Sequence, residues 1–454
     1  MVKDEIFRAY DIRGIYPEDI DPELSRSVAR AMLRMLEGKR IAVSMDVRLS
    51  NEALTKPLLD ELVAGGAQVW YIGVAPTPLM YFTIAKYGLD GGIAVSASHN
   101  PPQWNGYKLC GKEGKVFGLG EGLEKIKDII DREDFGAATG GGIILEKRNE
   151  VMADYEKFIK ENSRMERKLR IGIDPGNGTC CGFASGIMRR AGQEVVAIND
   201  EPDGRFPSRD PEPKPETIKE LCSMVKESGL DFGVAFDGDG DRAIFVDDRG
   251  VVLGGDRTLA LFSDNMIEPG DKVVYEVSCS DAVKEVVERR GGVAVLTGVG
   301  RSNLENKMLE VGARMGGEIS GHMYFRESYY FDDAFFAAAK MVELLSSKGR
   351  KLSELLEALP AYTSRLVEFN VSDEMKFKVV DAVARNLKKR GGKLITMDGV
   401  KLVTDRGWFI IRASNTGPKV KMVAEGKDDR LLEEMLKAGR EEFEKAYKEV
   451  SAGA

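Results

Sequence analysis

Hydrophobic and polar positions follow the same plan three times along the chain. An apolar run typical of a buried strand leads into an amphipathic helix, a glycine-containing turn and a second apolar run. Each repeat is therefore predicted to form a βαβ unit, and such units build mixed, largely parallel sheets covered by helices. The three repeats occupy residues 40–73, 169–199 and 271–300.

The spacing between the repeats, roughly a hundred residues, predicts three related α/β domains. From about Leu366 the pattern changes to a helix, several short strands and a closing helix, which predicts a smaller C-terminal α+β domain. Residues 205–215 are too rich in proline for a regular element and are expected to cross the surface beside the second domain. We predict four domains around a central cleft, with bounds at 1–148, 149–249, 250–362 and 366–454.

Composition narrows the class of protein. The 454 residues carry 66 Lys and Arg against 74 Asp and Glu, and this net charge of −8 argues against a nucleic-acid partner, which usually needs a basic face. The start of the chain lacks the apolar core of a signal peptide, and no apolar run approaches membrane-spanning length. The five cysteines lack the spacing of a disulfide framework or a zinc site. These features predict a cytoplasmic protein without a membrane partner, and they leave monomer and homo-oligomer open.

A polar loop follows the apolar strand pattern at residues 93–95. Two consecutive prolines after Asn100 forbid a helix and favour extended geometry at that asparagine. The loop therefore opens at the mouth of a strand, where open α/β sheets place their chemistry. The chain has only two histidines, and a scarce near-neutral titrating group in a polar loop is a candidate acid or base. The polar side chains gathered here are Ser98, His99, Asn100 and Lys108.

Three aspartates alternate with glycines directly after the apolar stretch 233–236. If the chain stays extended, Asp237, Asp239 and Asp241 point to one side and converge. Such carboxylates repel one another unless a cation neutralises them, and oxygen ligands favour Mg²⁺, Mn²⁺ or Ca²⁺. An EF-hand is excluded because Arg242 would take the position where its sharp turn demands glycine. An acidic solvated turn is the alternative to a metal site.

Two further polar strings suit the binding of adjacent hydroxyl groups and of an anion, respectively. Glu318, Ser320 and His322 occupy alternate positions and would share one face of an extended chain, presenting an acceptor, a hydroxyl and an imidazole to adjacent sugar hydroxyls. A half-buried strand with a polar side is the alternative. After the strand pattern at 408–411, an arginine, two hydroxyls and an amide form an anion cradle, for which a surface turn is the alternative. The cradle residues are Arg412, Ser414, Asn415 and Thr416.

These strings resemble loops of the α-D-phosphohexomutases. Ala-Ser-His-Asn-Pro-Pro with Asn-Gly-Tyr-Lys resembles the phosphoserine loop, and Asp-Gly-Asp-Gly-Asp resembles the metal loop. Gly-Glu-Ile-Ser-Gly-His resembles the sugar-binding loop, and Arg-Ala-Ser-Asn-Thr-Gly resembles the phosphate clamp. Near the N-terminus, Phe-Arg-Ala-Tyr-Asp-Ile-Arg-Gly resembles the phosphomannomutase/phosphoglucomutase branch. The resemblance runs from residue 7 to about residue 426, so it covers nearly the whole chain.

The resemblance implies an isomerase that moves a phosphoryl group between the 1- and 6-oxygens of mannose and glucose phosphates. The route passes through an enzyme phosphoserine and a hexose 1,6-bisphosphate. It implies that Ser98 carries the phosphoryl group and that one Mg²⁺ per chain is held by a phosphoserine oxygen and the three aspartates. The base would be Lys108, which then needs a lowered pKa, or His322. The other implied catalytic residues are Arg13, His99 and Arg242. The implied substrate-binding residues are Tyr10, Arg301, Glu318, Ser320, Arg412, Ser414, Asn415 and Thr416.

Two alternatives stay open at this level. Phosphoglucosamine mutase shares the mechanism, although the N-terminal string argues against it. A non-catalytic sugar-phosphate-binding paralogue would be expected to have lost Ser98 or an aspartate, and neither is lost. Gly298 and Gly417 depart from the familiar pattern of the branch, which commonly has a bulkier or basic residue at the first position and Glu at the second. The preferred hexose is therefore left open.

Overall fold

A computed structural model describes residues 3–136, 140–390, 393–414 and 417–452. The described chain divides into two compact units. The first holds residues 1–258 and 320–356, and the second holds residues 259–319 and 357–454. Among the described helices, none is both long and apolar enough to span a membrane.

The first sheet has six strands in the order β1-β5-β4-β2-β3-β6. Strands β2, β3, β4 and β6 run parallel, whereas β5 pairs antiparallel with both β4 and β1. The elements are β1 (Ile12–Ile15), α1 (Pro22–Met35), β2 (Arg40–Met45), α2 (Asn51–Ala64), β3 (Gln68–Val74), α3 (Thr77–Tyr87), β4 (Gly91–Val95), β5 (Trp104–Cys110), α4 (Leu123–Asp131), β6 (Ile143–Glu146) and α5 (Arg148–Asn162).

The second sheet has five strands in the order β11-β10-β9-β7-β8. Strand β7 pairs parallel with β8 and β9, and β10 pairs antiparallel with β9 and β11. The elements are β7 (Arg170–Asp174), α6 (Phe183–Arg190), β8 (Glu194–Ala197), α7 (Lys219–Ser228), β9 (Phe232–Phe236), β10 (Ala243–Asp247), β11 (Val252–Leu253) and α8 (Gly255–Met266).

In the second unit, a third sheet places β12 between β13 and β14, and both neighbours are parallel to it. Its elements are β12 (Lys272–Glu276), α9 (Asp281–Arg289), β13 (Val293–Thr297), α10 (Arg301–Val311) and β14 (Met315–Gly317). The chain then returns to the first unit with β15 (Met323–Phe325), α11 (Ala334–Lys348) and α12 (Leu352–Leu356).

The fourth sheet is antiparallel throughout, in the order β16-β20-β19-β18-β17. Its core packs the sheet against two long helices, with Phe409, Met422 and Phe443 among the buried residues. The elements are β16 (Thr363–Asn370), α13 (Asp373–Arg390), β17 (Lys393–Ile395), β18 (Val400–Thr404), β19 (Gly407–Ala413), β20 (Lys419–Gly426) and α14 (Asp429–Ala452).

The predicted fold class is confirmed, and so are the three βαβ repeats. Each repeat pairs its two strands in parallel: β2 with β3, β7 with β8, and β12 with β13. A glycine with positive φ follows the helix in each repeat, at Gly66, Gly192 and Gly291, as expected for a chain that must leave the helix in a left-handed conformation. Strand β16 was not expected from the sequence, because Ser364, Arg365 and Leu366 are three consecutive exposed residues, which interrupts the alternation typical of a half-buried strand.

Residues 205–215 contain no helix or strand, as predicted, but the expectation that they only cross the surface is wrong. Phe206 and Arg209 are buried. Arg209 pairs with Asp174 at 2.8 Å and donates a hydrogen bond to the carbonyl of Phe236 at 2.7 Å. The segment is therefore bonded into the carboxyl edge of the second sheet, at the last residue before the aspartate loop.

Candidate active site

Ser98 lies three residues after β4 and is buried. Its φ of 50° is in the left-handed region, which is uncommon for a residue with a side chain. Its Oγ donates a hydrogen bond to Asp237 Oδ2 at 2.8 Å and lies 3.2 Å from His99 Nδ1. Its backbone N–H donates to Ser96 Oγ at 2.8 Å. The serine hydroxyl is thus aimed at the aspartate loop of the second sheet.

The aspartate loop gathers its carboxylates by turning, not by staying extended. Asp237 directly follows the strand β9, and its Oδ1 accepts the backbone N–H groups of Gly240, Asp241 and Arg242 at 3.0, 3.1 and 3.2 Å. This capped turn brings one oxygen from each of Asp237, Asp239 and Asp241 within 4.8 Å of the others, and all three residues are buried. The convergence is as expected, but the extended geometry is wrong, because backbone hydrogen bonds close the loop.

The carboxylates occupy unequal electrostatic environments. Burial and the charges of Asp241 and Asp239 raise the pKa of Asp237 well above its ordinary value. Burial also opposes ionisation of Asp241, but the charges of Lys108 and His322 outweigh it and hold the pKa of Asp241 well below its ordinary value. The cluster therefore carries mutual repulsion that a cation would relieve.

The donor set fits a hard divalent cation. Oδ1 of Asp239 is buried and accepts no hydrogen bond from the described residues, while Oδ2 accepts from Thr77 Oγ1 at 2.5 Å. Thr77 also donates its backbone N–H to the Asp239 carbonyl at 2.8 Å, so the residue is fixed twice. An oriented, unused carboxylate oxygen beside two others suits oxygen-ligand metals.

Lys108 lies on β5 and is bound by the same loop. It donates a hydrogen bond to Asp239 at 2.6 Å and another to Asp241. Burial lowers its pKa, but the two carboxylates outweigh burial, so the pKa of Lys108 is raised. In this arrangement the two ion pairs therefore raise the pKa of Lys108, whereas a base role requires a lowered one.

Arg13 contacts the serine loop (residues 96–103), and His99 is part of that loop. Arg13 pairs with Asp11 at 2.8 Å and donates to Asn100 Oδ1 at 2.8 Å, which ties the N-terminal strand to the loop. Burial and the charges of the neighbouring arginines lower the pKa of His99 well below its ordinary value, so this ring is neutral. Tyr10 is half-buried in the turn that precedes β1.

His322 is brought to the aspartate loop by backbone pairing with Arg242. Arg242 Nε donates to His322 Nε2 at 3.3 Å, and His322 Nδ1 lies 2.9 Å from Ser320 Oγ. Nε2 also lies 3.3 Å from Asp241 Oδ1 and 3.8 Å from Asp332 Oδ2. The chain turns at residues 319–321, so the expected alternation of three side chains on an extended strand does not apply.

The remaining candidates in the second unit lie in two places. Glu318 follows β14 and is buried. Burial and the charge of Glu318 raise the pKa of nearby Glu276 to about 7, although a hydrogen bond from the Ser278 N–H acts in the opposite direction. Arg301 begins α10 and makes an ion pair with Glu305 at 2.6 Å. Gly298 precedes that helix, and a Cβ at this position would lie 3.1 Å from Asn303 Nδ2.

The anion cradle is held by residues outside the motif. Arg412 Nη2 lies 3.1 Å from Asp398 Oδ2, and the same oxygen accepts the backbone N–H of Val299 at 3.1 Å. Lys376 donates to the carbonyls of Ser414 and Gly417 at 2.8 and 3.3 Å. Asn415 and Thr416 lie outside the described residues.

Sequence reasoning missed several supporting residues. The pair Asp46 and Arg48 had a readable signal, because two charged residues directly follow the parallel strand β2. No local signal marked the others, which reach the site from distant segments: Thr77, Arg209, Asp332, Lys376 and Asp398.

Comparison with known proteins agrees with this arrangement. Four models of the phosphoglucomutase/phosphomannomutase family match in order: alpha/beta/alpha domain I at residues 4–137, domain II at 153–250, domain III at 254–362 and the C-terminal domain at 366–442. A phosphoglucomutase/phosphomannomutase of Thermococcus kodakarensis is 34% identical over 98% of this chain and 99% of its own.

Two other relatives are also similar to nearly the whole chain. A protein of Methanopyrus kandleri named "Probable phosphoglucosamine mutase" is 35% identical over 96% of both chains. The crystal structure of a phosphoglucomutase/phosphomannomutase family protein from Burkholderia thailandensis superposes with a TM-score of 0.88 at 30% identity, covering 100% of this chain and 99% of that one. Domain models spanning nearly the whole length and relatives above 30% identity lead to one conclusion: the chain belongs to the phosphoglucomutase/phosphomannomutase family.

Proposed function

We propose that the protein is a phosphomannomutase/phosphoglucomutase that moves a phosphoryl group between the 1- and 6-oxygens of a hexose phosphate. The observation that carries the proposal is the buried Ser98 hydroxyl, which donates a hydrogen bond to Asp237 within a cluster of three carboxylates. A serine beside an oxygen-rich metal site is the arrangement that phosphoryl transfer needs, because catalysis there depends on position and charge stabilisation.

Phosphorylated Ser98 gives its phosphoryl group to the free hydroxyl of a hexose monophosphate. The bond from phosphorus to Ser98 Oγ breaks and a bond to the sugar oxygen forms. The proton of the sugar hydroxyl passes to a base, and the departing Ser98 Oγ takes up a proton, which regenerates the serine hydroxyl. The resulting hexose 1,6-bisphosphate reverses its orientation in the site and returns its other phosphoryl group to Ser98. His322 is the better candidate for the base, because, against the effect of burial, two carboxylates raise the pKa of Lys108 and keep its ammonium protonated.

One Mg²⁺ per chain is proposed, with Asp237, Asp239, Asp241 and a phosphoserine oxygen as its ligands. When bound, the ion supplies positive charge that stabilises the transferring phosphoryl group. Arg242 adds a second positive charge beside His322, and Arg13 and His99 hold the serine loop.

Substrate recognition is assigned to the loops that resemble those of the family. Glu318 and Ser320 are proposed to bind sugar hydroxyls, and Tyr10 and Arg301 to line the site. Arg412 with Ser414, Asn415 and Thr416 is proposed to bind the phosphate that is not reacting, because a guanidinium and backbone donors suit a phosphate. The substrates would be mannose and glucose phosphates.

The test combines mass analysis with activity. Intact mass and peptide mapping of the isolated protein should find one phosphate on Ser98 in part or all of the molecules. Wild type should interconvert glucose 1- and 6-phosphate with glucose 1,6-bisphosphate as activator, and Ser98→Ala should be inactive while keeping the thermal midpoint of the wild type. Full activity in Ser98→Ala would overturn the proposal.

A further inference from the structure

The side chain of Arg48 is fully buried beneath the serine loop, in the connection between β2 and α2. A guanidinium has five N–H groups, and all five of Arg48 have acceptors. Nε donates to Asp46 Oδ2 at 3.0 Å. The other four N–H groups donate to backbone carbonyls of the serine loop and of the first residue of β5: Ser98 at 3.0 Å, Asn100 at 2.6 Å, Pro101 at 2.6 Å and Trp104 at 2.9 Å.

The loop that Arg48 binds is conformationally strained. Ser98 adopts a φ of 50°, and a residue with a side chain stays in that region only when its surroundings hold it there. Arg48 binds carbonyls at Ser98 and on the segment that follows it, so it fixes the backbone just where the strain lies.

Asp46 holds the same loop through a second set of hydrogen bonds. Its Oδ2 pairs with Arg48 and accepts a hydrogen bond from Ser96 Oγ at 2.8 Å. Ser96 Oγ in turn accepts the backbone N–H of Ser98. One buried ion pair therefore fixes the carbonyl of Ser98 directly and its N–H through Ser96.

The proline-rich segment completes the surroundings of Arg48. The ring of Phe206 lies 5.3 Å from the Arg48 guanidinium carbon. Gly204 packs so closely that a Cβ there would lie 2.3 Å from the Val47 carbonyl oxygen. The guanidinium is thus enclosed, and water has little room to replace a lost hydrogen bond.

We propose that Arg48 is a positioning residue for phosphoryl transfer, which holds Ser98 in its strained conformation with the hydroxyl directed at the metal loop. The inference deepens the proposed function and rests on it. Arg48 acts through the loop backbone and does not touch the substrate. Replacing it should therefore change the rate of transfer to and from Ser98 more than the binding of sugar phosphate.

The test uses Arg48→Lys, which keeps the charge but offers at most three of the five donors. Arg30→Lys is the matched control, because Arg30 makes a bidentate ion pair with Glu61 in the same domain, between α1 and α2. Asp46→Asn is a second, milder variant of similar size.

Three readouts are compared with wild type: kcat and KM for glucose 1-phosphate, the rate of Ser98 phosphorylation by glucose 1,6-bisphosphate, and hydrogen exchange of the peptide 96–106.

In Arg48→Lys we expect a loss of about 100-fold in kcat and in the phosphorylation rate, with KM within about threefold of wild type. Faster exchange should be confined to peptide 96–106. Asp46→Asn should show the same pattern with a smaller amplitude, and Arg30→Lys should match wild type in all three readouts.

The inference is overturned if exchange of peptide 96–106 is unchanged in both Arg48→Lys and Asp46→Asn. It is also overturned if activity falls only in proportion to the unfolded fraction. A wild-type protein without mutase activity or phosphoserine would overturn the proposed function and the catalytic part of the inference. In that case the exchange data still decide whether Arg48 holds the loop.

Discussion

Ser98 Oγ donates a hydrogen bond to Asp237 Oδ2 at 2.8 Å, although the two residues are 139 positions apart in the chain. Ser98 follows a strand of the first sheet and Asp237 follows a strand of the second, and both strands end where neighbouring parallel strands end. The geometry of the site therefore depends on how two loops from two sheets are held together.

Asp239→Ala should lose most of the activity while the protein stays folded. Oδ1 of Asp239 is buried and accepts no hydrogen bond from the described part of the chain, so its loss removes both a charge and a ligand oxygen from the proposed metal site. Removal of divalent ions with EDTA should likewise stop turnover, and Mg²⁺ should restore it in wild type but not in the variant. Calorimetric titration with Mg²⁺ gives a readout besides activity.

The control is Asp264→Asn, which removes a carboxylate that pairs with Arg289 on the surface. Normal turnover in EDTA-treated wild type would refute the metal assignment.

Gly238→Ala should separate the two loops. A Cβ at residue 238 would lie 2.5 Å from the carbonyl oxygen of Ser98, a backbone atom that has to move to make room. We expect about 100-fold lower kcat, the usual cost of a displacement near 1 Å at a reacting group. Gly186→Ala is the matched control, because its nearest neighbour is the flexible end of Arg190 and it lies within α6, where alanine is favoured. Equal activity in the two variants would show that the contact is unimportant.

The two loops also show what the sequence could and could not predict. The Asp-Gly-Asp-Gly-Asp string and the Ser-His-Asn-Pro string could be identified as candidate sites, because each places its polar groups within a few residues of a strand end. The turn closed by Asp237 could not be predicted, because an alternating pattern fits an extended chain equally well. Arg209 and Thr77 carried no signal, since their partners, Asp174 and Asp239, are brought near them only by the fold.

Glu425 should make the stability of the second unit fall as pH rises. Burial raises its pKa to about 7, although hydrogen bonds from Trp408 Nε1 at 2.8 Å and from the Asp281 N–H at 2.9 Å favour the charged form and lower the pKa. Because the pKa is higher in the folded state, the stabilisation is complete below about pH 4.5 and is lost as pH rises through about 7. Lys401, whose ammonium lies 3.5 Å from the Trp408 ring, is the cation that faces this group.

The measurement is the thermal midpoint of wild type and Glu425→Gln between pH 5 and pH 8. The midpoints should be similar at pH 5, where Glu425 is protonated, and Glu425→Gln should be the more stable at pH 8. Glu433→Gln is the control, because Glu433 is exposed and pairs with Arg365. A constant difference between Glu425→Gln and wild type across this range would contradict the assignment.

Substrate choice should be broad between glucose and mannose phosphates. Glu318 and Ser320 are expected to bind hydroxyls that the two sugars share, and no residue of the motifs is dedicated to the 2-position. Strong rejection arises when a buried polar group is left unpaired, so a site that ignores the 2-hydroxyl discriminates weakly. Parallel coupled assays should give kcat/KM values for the two sugars within about two orders of magnitude.

Glucosamine phosphate, which brings a charged amine to the 2-position, should be the poorest of the three. If glucosamine 6-phosphate gave the highest kcat/KM, the branch would be that of the Methanopyrus kandleri relative, while the role of Ser98 would stand.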